Sequence, residues 1–181
     1  MLELAEPSQN IGSWKKALSY IDTALKTDQK AEYYALKATI LFVLGNQDKS
    51  KNLFKQALKV SENKTVRQEI LNNYACVLAE GGEKEEALRL WDSLAINEDY
   101  LTPEVALVNK GKVLMEQGLA EQASQSFAQA VGYAPGYLDA QYFLALARVQ
   151  LNDVKGARDS IKTILYLDKD HQGALLLAKK L

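Results

Sequence analysis

The sequence is poor in the residues that carry most protein chemistry. It has one cysteine, Cys76, and one histidine, His171, among 181 residues. A lone cysteine excludes an internal disulfide and leaves the redox compartment open. A lone histidine leaves no histidine-rich ligand set for a metal, which needs several convergent donors. Charge of one sign does not predominate either: 22 basic residues face 23 acidic ones, for a formal net charge of −1. Nucleic-acid binding draws on a basic surface excess, so no nucleic acid is expected as a partner. No basic amphipathic stretch is present to attract an anionic membrane. Long hydrophobic runs are missing too. The longest purely apolar ones are Tyr74–Ala79 and Tyr142–Ala147, far below the ~18 residues that span a bilayer. Direct membrane insertion is therefore not expected. The opening MLELAEPSQN lacks the apolar core of a signal peptide.

What the chain does have is apolar content and internal repetition. Hydrophobic residues make up 48% of it, enough to build a core and too much for compositional disorder. A template recurs four times. The unit from Glu104 to Tyr137 places Gly111, Gly118, Ala123, Phe127, Ala130 and Pro135 at positions 8, 15, 20, 24, 27 and 32. A unit from Leu138 gives Ala145, Asn152, Ala157, Ile161 and Ile164 at the first five of these. Units from Ala31 and Gln68 give Ala38, Gly45, Ser50, Phe54, Ala57 and Ala75, Gly82, Ala87, Trp91, Leu94.

Packing explains the template. Small residues at positions 8, 20 and 27 let antiparallel helices approach closely, and a large residue at position 24 fills the space between them. Glycine or asparagine at position 15 ends the first helix, because the turn needs φ > 0. Leu94 and Ile164 break the small-residue rule at position 27 and predict looser or locally adjusted packing there. Thr102-Pro103-Glu104 reads as a helix start, with Thr as N-cap, Pro at N1 and a favourable carboxylate in the first turn. Ten helices are expected, near 13–27, 31–44, 47–60, 66–80, 83–95, 103–117, 120–133, 137–151, 154–167 and 171–180. Trp14 and Trp91 read as core.

The template resembles the tetratricopeptide repeat family over nearly the whole chain. The resemblance implies an all-α fold, a right-handed α-solenoid of antiparallel helix pairs. Its concave groove would be lined by the first helix of each pair and would hold a protein or peptide partner. The expected layout is a single array over 1–181. It comprises a half unit at about 10–30, full units at about 31–64, 68–101, 104–137 and 138–171, and a capping helix at about 171–181. A narrower resemblance rests on NNYACVLAEGGEKEEALRLW from Asn72, then Tyr100-Leu101-Thr102-Pro103, then Asn109-Lys110-Gly111. These stretches are similar to the tetratricopeptide lipoproteins of type IV pilus biogenesis, whose members help the outer-membrane secretin assemble. The sequence departs from that family at Ala75, where glycine is common, and it shows no N-terminal lipidation cysteine. The resemblance implies the periplasmic face of the outer membrane if a lipoprotein segment has been removed, and the cytoplasm otherwise.

Helical geometry places positions 2, 5, 9, 12 and 13 of each first helix on one face. That face carries Phe42; Asn72 and Cys76; Val108, Lys112 and Met115; Tyr142 and Leu146. Such an apolar, Met-containing surface suits the apolar face of a partner helix or strand. Two outcomes stay open for it: a groove that takes a partner, or burial by a C-terminal helix and by curvature of the solenoid. Asn73 and Asn109, at position 6, either bond a ligand backbone, as the family resemblance implies, or bond the neighbouring helix. Position 5 offers no lysine, so a carboxylate clamp is not expected.

The remaining motifs give no chemistry. Cys76 has no histidine nearby in sequence to activate it as a nucleophile. Gly81-Gly82 follows a helix and lacks the Lys-Ser/Thr of a phosphate loop. The run Glu83–Glu86 sits in a helix first turn, where carboxylates are favoured. No catalytic residue, cofactor or metal is expected. The helix at 13–27 reads as the second half of a pair, and Pro7 interrupts the space before it. The array is thus expected to begin inside a repeat, with an open N-terminal face available for self-association or for a missing segment. The functional reading is a non-catalytic protein-interaction scaffold, in pilus or secretin assembly. A cytoplasmic adaptor or secretion chaperone, or the regulatory repeat domain of a longer enzyme, is the alternative.

Overall fold

The computed structural model describes residues 11–181. Among them it holds ten α-helices and no strand. They are α1 (Ile11–Thr27), α2 (Ala31–Val43), α3 (Gln47–Val60), α4 (Lys64–Glu80), α5 (Lys84–Ala95), α6 (Pro103–Glu116), α7 (Ala120–Tyr133), α8 (Leu138–Gln150), α9 (Val154–Leu167) and α10 (Gln172–Ala178). The expected open N-terminal face, with its missing first helix before Gly12, lies outside the described residues.

The turns follow from position 15. Gly45, Gly82 and Gly118 have φ of +79°, +86° and +75°, and Asn152 takes the same left-handed region at +59°. In each case the next N–H reaches back five residues: Asn46 to the Leu41 carbonyl, Glu83 to Leu78, Leu119 to Leu114 and Asp153 to Arg148, at 2.8–2.9 Å. This bond satisfies a carbonyl that the helix end would otherwise orphan. Helix starts vary more. Asn63 and Asp153 cap α4 and α9 through their side-chain oxygens. Thr102 occupies the N-cap of α6 with Pro103 behind it, but its hydroxyl makes no capping bond.

The small-and-large template is a core template. Ala38, Ala75 and Ala145 at position 8, and Ser50, Ala87, Ala123 and Ala157 at position 20, are fully buried. Phe54, Trp91, Phe127 and Ile161 at position 24 are buried as well, while Trp14 is half-buried. Gly111 shows how tight position 8 is: a Cβ there would lie 2.4 Å from Cε1 of Phe127. Of the two outcomes expected at Leu94 and Ile164, looser packing or local adjustment, full burial of both leaves the second. Ile164 is accommodated because α10 places Ala174 and Leu177 against it and Ala145, closing the last pair.

The chain divides inside α5 into two compact units, Met1–Ala87 and Leu88–Leu181. In the first, α2 packs on α1, α3 and α4, and α3 on α4. Phe54 and Tyr74 meet there with ring centroids 5.8 Å apart, and Lys51 reaches Glu83 at 2.9 Å. In the second, α6, α7 and α8 pack on one another, α8 on α9, and α9 on α10. One core gathers Leu107, Leu114, Phe127 and Leu144, and the other forms around Ile161 and Ile164. An ion pair recurs at equivalent places. Lys37 pairs with Asp22 in the first unit and Lys110 with Asp92 in the second. The carboxylates are half exposed, so each pair adds at most about 1 kcal/mol.

Candidate functional site

The first helices carry the candidate site, and each unit holds two of them. In Met1–Ala87 these are α2 and α4. Their solvent face runs through Glu32, Leu36 and Thr39 on α2 and Glu69, Asn73 and Glu80 on α4, all exposed. Phe42 and Cys76 are half-buried beside it. In Leu88–Leu181 the pair is α6 and α8. Here Val105, Asn109, Lys112 and Met115 on α6 are half-buried, as are Asp139, Tyr142, Phe143, Leu146 and Val149 on α8, while Glu116 and Gln150 are exposed. The Lys112 ammonium lies 4.4 Å from the ring centroid of Phe143, an attraction of about 0.5–1 kcal/mol near the surface. Met115 leans on the core around Leu107 and Phe127. The surface is mixed, with the apolar groups recessed.

Two expectations about this face are corrected. Val108 is 1% exposed within the core of α6–α8, and Asn72 is 8% exposed. Ala35, their counterpart on α2, is also buried. Position 5 thus points inward: α2 is packed on α3 and α4, and α6 on α7 and α8. Tyr142, the fourth residue at this position, is half-buried for a different reason. Its ring packs against His171 at 5.4 Å between centroids, and a Cβ on Gly173 would come within 2.8 Å of it. The C-terminal helix therefore covers Tyr142, and Leu146 packs against the same cluster. His171 is the N-cap of α10, its Nδ1 accepting from the Ala174 N–H at 3.1 Å.

Sequence reasoning missed two residues on this face, Leu36 and Phe143, both at position 6. Leu36 is 52% exposed. The signal was available: positions 2, 6, 9 and 13 are spaced four, three and four residues apart, the solvent stripe of a helix whose other sides are packed.

The electrostatics are mild. Burial raises the Tyr137 phenol, at the N-cap of α8, above the usual tyrosine range, and the Asp139 and Glu104 carboxylates add to this. Tyr74, in the core between α3 and α4, is raised chiefly by burial as well. Among the described residues, no group of three or more His, Cys, Asp or Glu side chains is gathered to hold a metal. No described helix is long and apolar enough to cross a membrane.

Comparison with known proteins fits this arrangement. Two family models, each of the tetratricopeptide repeat, match residues 31–64 and 114–180, together more than half the chain. No curated protein sequence matches. Among solved structures the chain is similar to PilW, a widely conserved type IV pilus biogenesis factor. The two are 25% identical over 96% of this chain and 80% of that one, with a TM-score of 0.78. It is similar in fold to PilF of Pseudomonas aeruginosa, at 19% identity over 92% and 74% with a TM-score of 0.78. It is also similar in fold to YrrB, a tetratricopeptide protein with an unusual peptide-binding site, at 24% identity over 96% and 87% with a TM-score of 0.65. The helix pairs, the left-handed turn residue that ends each first helix, the buried small-and-large template and these matches agree: the chain belongs to the tetratricopeptide repeat family.

Proposed function

We propose that this chain is a non-catalytic scaffold that holds a segment of a partner protein on the solvent face of its first helices, in type IV pilus or outer-membrane secretin assembly. The observation that carries the pilus setting is the likeness to PilW along 96% of the chain. The stretches beginning at Asn72, Tyr100 and Asn109 support it from the sequence side. The binding face is supported by its chemistry. Recessed apolar groups such as Met115, Phe143 and Leu146 are flanked by Asn109 and Lys112, which suits a segment with a few apolar anchors and a polar backbone to bond. Each large anchor buried there contributes about 1.5–3 kcal/mol before binding costs.

The test is direct binding of the purified chain to the secretin subunit of the same organism, by biolayer interferometry. Leu36→Glu and Lys112→Glu change this face while leaving the buried template intact. Saturable binding that either variant weakens about tenfold or more, a loss of about 1.4 kcal/mol, with an unchanged helical melting curve, supports the proposal. Absence of binding, or binding that both variants leave unaltered, overturns it.

A further inference from the structure

We propose a second docking surface, away from the first-helix face, built by the α5–α6 linker and the end of α7, for a partner segment that carries a large apolar side chain next to lysine or arginine. Two large apolar side chains stand in solvent here: Ile96 is 84% exposed and Tyr133 60%. They are not scattered. A cavity of about 320 Å³ is lined by Ala95, Ile96, Leu107, Gln129, Gly132 and Tyr133. A second, of about 350 Å³, shares Ala95, Ile96 and Tyr133 with it and adds Asn97, Glu98, Tyr100 and Pro103. The Tyr133 hydroxyl donates to the Ala95 carbonyl at 3.4 Å, tying the end of α7 to the end of α5 at the shared wall. An apolar compartment therefore adjoins one that carries a carboxylate.

The charge around this face selects the occupant. Glu98 lines the second cavity, and Asp99 follows it in a segment with no basic residue between Arg89 and Lys110. From Lys112 to Arg148 there is none either, so α7 contributes no cation. Lys110 is held by Asp92, and Lys112 lies over Phe143. The linker is thus acidic beside an exposed apolar cluster, and the complementary segment is basic and apolar. Exposed apolar groups gathered around a cavity mark interaction sites more often than single ones do. The side chain of a Phe or Leu fits the apolar compartment, and a flanking ammonium or guanidinium falls beside Glu98.

The probe is a synthetic peptide with Lys-Phe-Lys at its centre and Gly and Ser on either side, titrated into the isotope-labelled chain and followed by amide NMR. The control replaces both lysines with Glu. The expected result is saturable shifts at Ile96, Glu98 and Tyr133 with the lysine peptide, none with the glutamate peptide, and affinity about tenfold lower in Glu98→Lys and in Ile96→Ser. Both side chains are exposed enough for the fold to tolerate the changes, which the spectrum itself reports. The proposal is overturned if those amides do not shift up to ~10 mM peptide, a range that captures even millimolar affinity. It is equally overturned if the glutamate peptide binds as well, or if both variants bind like the parent chain. The readout uses no pilus component, so its outcome is separate from that of the secretin test.

Discussion

Adding one methyl group at two glycines of the second unit should change stability in opposite directions. Gly111 lies in the middle of α6. A Cβ there would stand 2.4, 2.7 and 2.8 Å from Cε1, Cζ and Cδ1 of Phe127. Phe127 is fully buried and stacks on Phe143 with centroids 5.6 Å apart, so the ring has nowhere to withdraw. Overpacking of this kind costs about 1–3 kcal/mol, against about 1 kcal/mol that alanine gains over glycine in a helix interior. Gly111→Ala should therefore destabilise the chain by about 1 kcal/mol. Gly132 lies near the end of α7 with nothing within 4 Å of its would-be Cβ. Only the helix-propensity gain operates there, so Gly132→Ala should stabilise by up to about 1 kcal/mol. Urea denaturation followed by circular dichroism resolves the difference, and melting should show it as about 2–4 °C per kcal/mol for a chain of this length. Adding Phe127→Leu to Gly111→Ala should relieve part of the cost, giving a non-additive cycle. If Gly111→Ala stabilised as much as Gly132→Ala, the account of position 8 as a close-approach position would be wrong.

Other consequences follow from single side chains. The Ser50 hydroxyl is buried with no hydrogen-bond partner among the described residues, where the other three units have alanine. Ser50→Ala should therefore stabilise by about 1 kcal/mol in the same urea assay, and a loss of stability would reveal an unseen partner. His171→Ala should cost about 0.5–2 kcal/mol and raise amide exchange in α10, whereas His171→Asn keeps an acceptor and should restore most of it. Because burial holds the Tyr137 phenol above the usual range in the folded chain, the folded state favours its protonated form. That contribution is complete below about pH 10 and is lost as pH rises through the folded value. Tyr137→Phe should flatten the alkaline fall in stability, and an unchanged slope would refute the assignment.

Much of the fold was legible because its punctuation is chemical. Left-handed turns need Gly or Asn, and Gly45, Gly82, Gly118 and Asn152 mark them at one repeat position. The observed helix bounds accordingly lie within two residues of those expected. The packing template was legible for the same reason, since only small side chains fit at Ala38, Ala75, Gly111 and Ala145. The candidate face was legible only in part. Helical periodicity fixes which residues share a stripe but not how wide the packed arc is, so Val108 and Asn72 were placed outside when they lie inside. For Tyr142 the periodicity left two outcomes open, a groove or burial by a C-terminal helix, and only the packing of His171 and Gly173 on its ring decides between them. Leu36 and Phe143 were missed because the arc was drawn one position too far toward the core. The exposed apolar pair Ile96 and Tyr133 could not be read from the repeat at all, because it depends on how a linker folds beside the end of α7.

The central claim is that partner capture belongs to the first helix of each pair. Hydrogen–deuterium exchange of the chain, alone and with the secretin subunit, measures this helix by helix. The account predicts slowed exchange in α2, α4, α6 or α8 on binding, with α3, α7 and α9 unchanged. Protection confined to α3, α7 or α9, or no protection in any first helix at saturating partner, would contradict it.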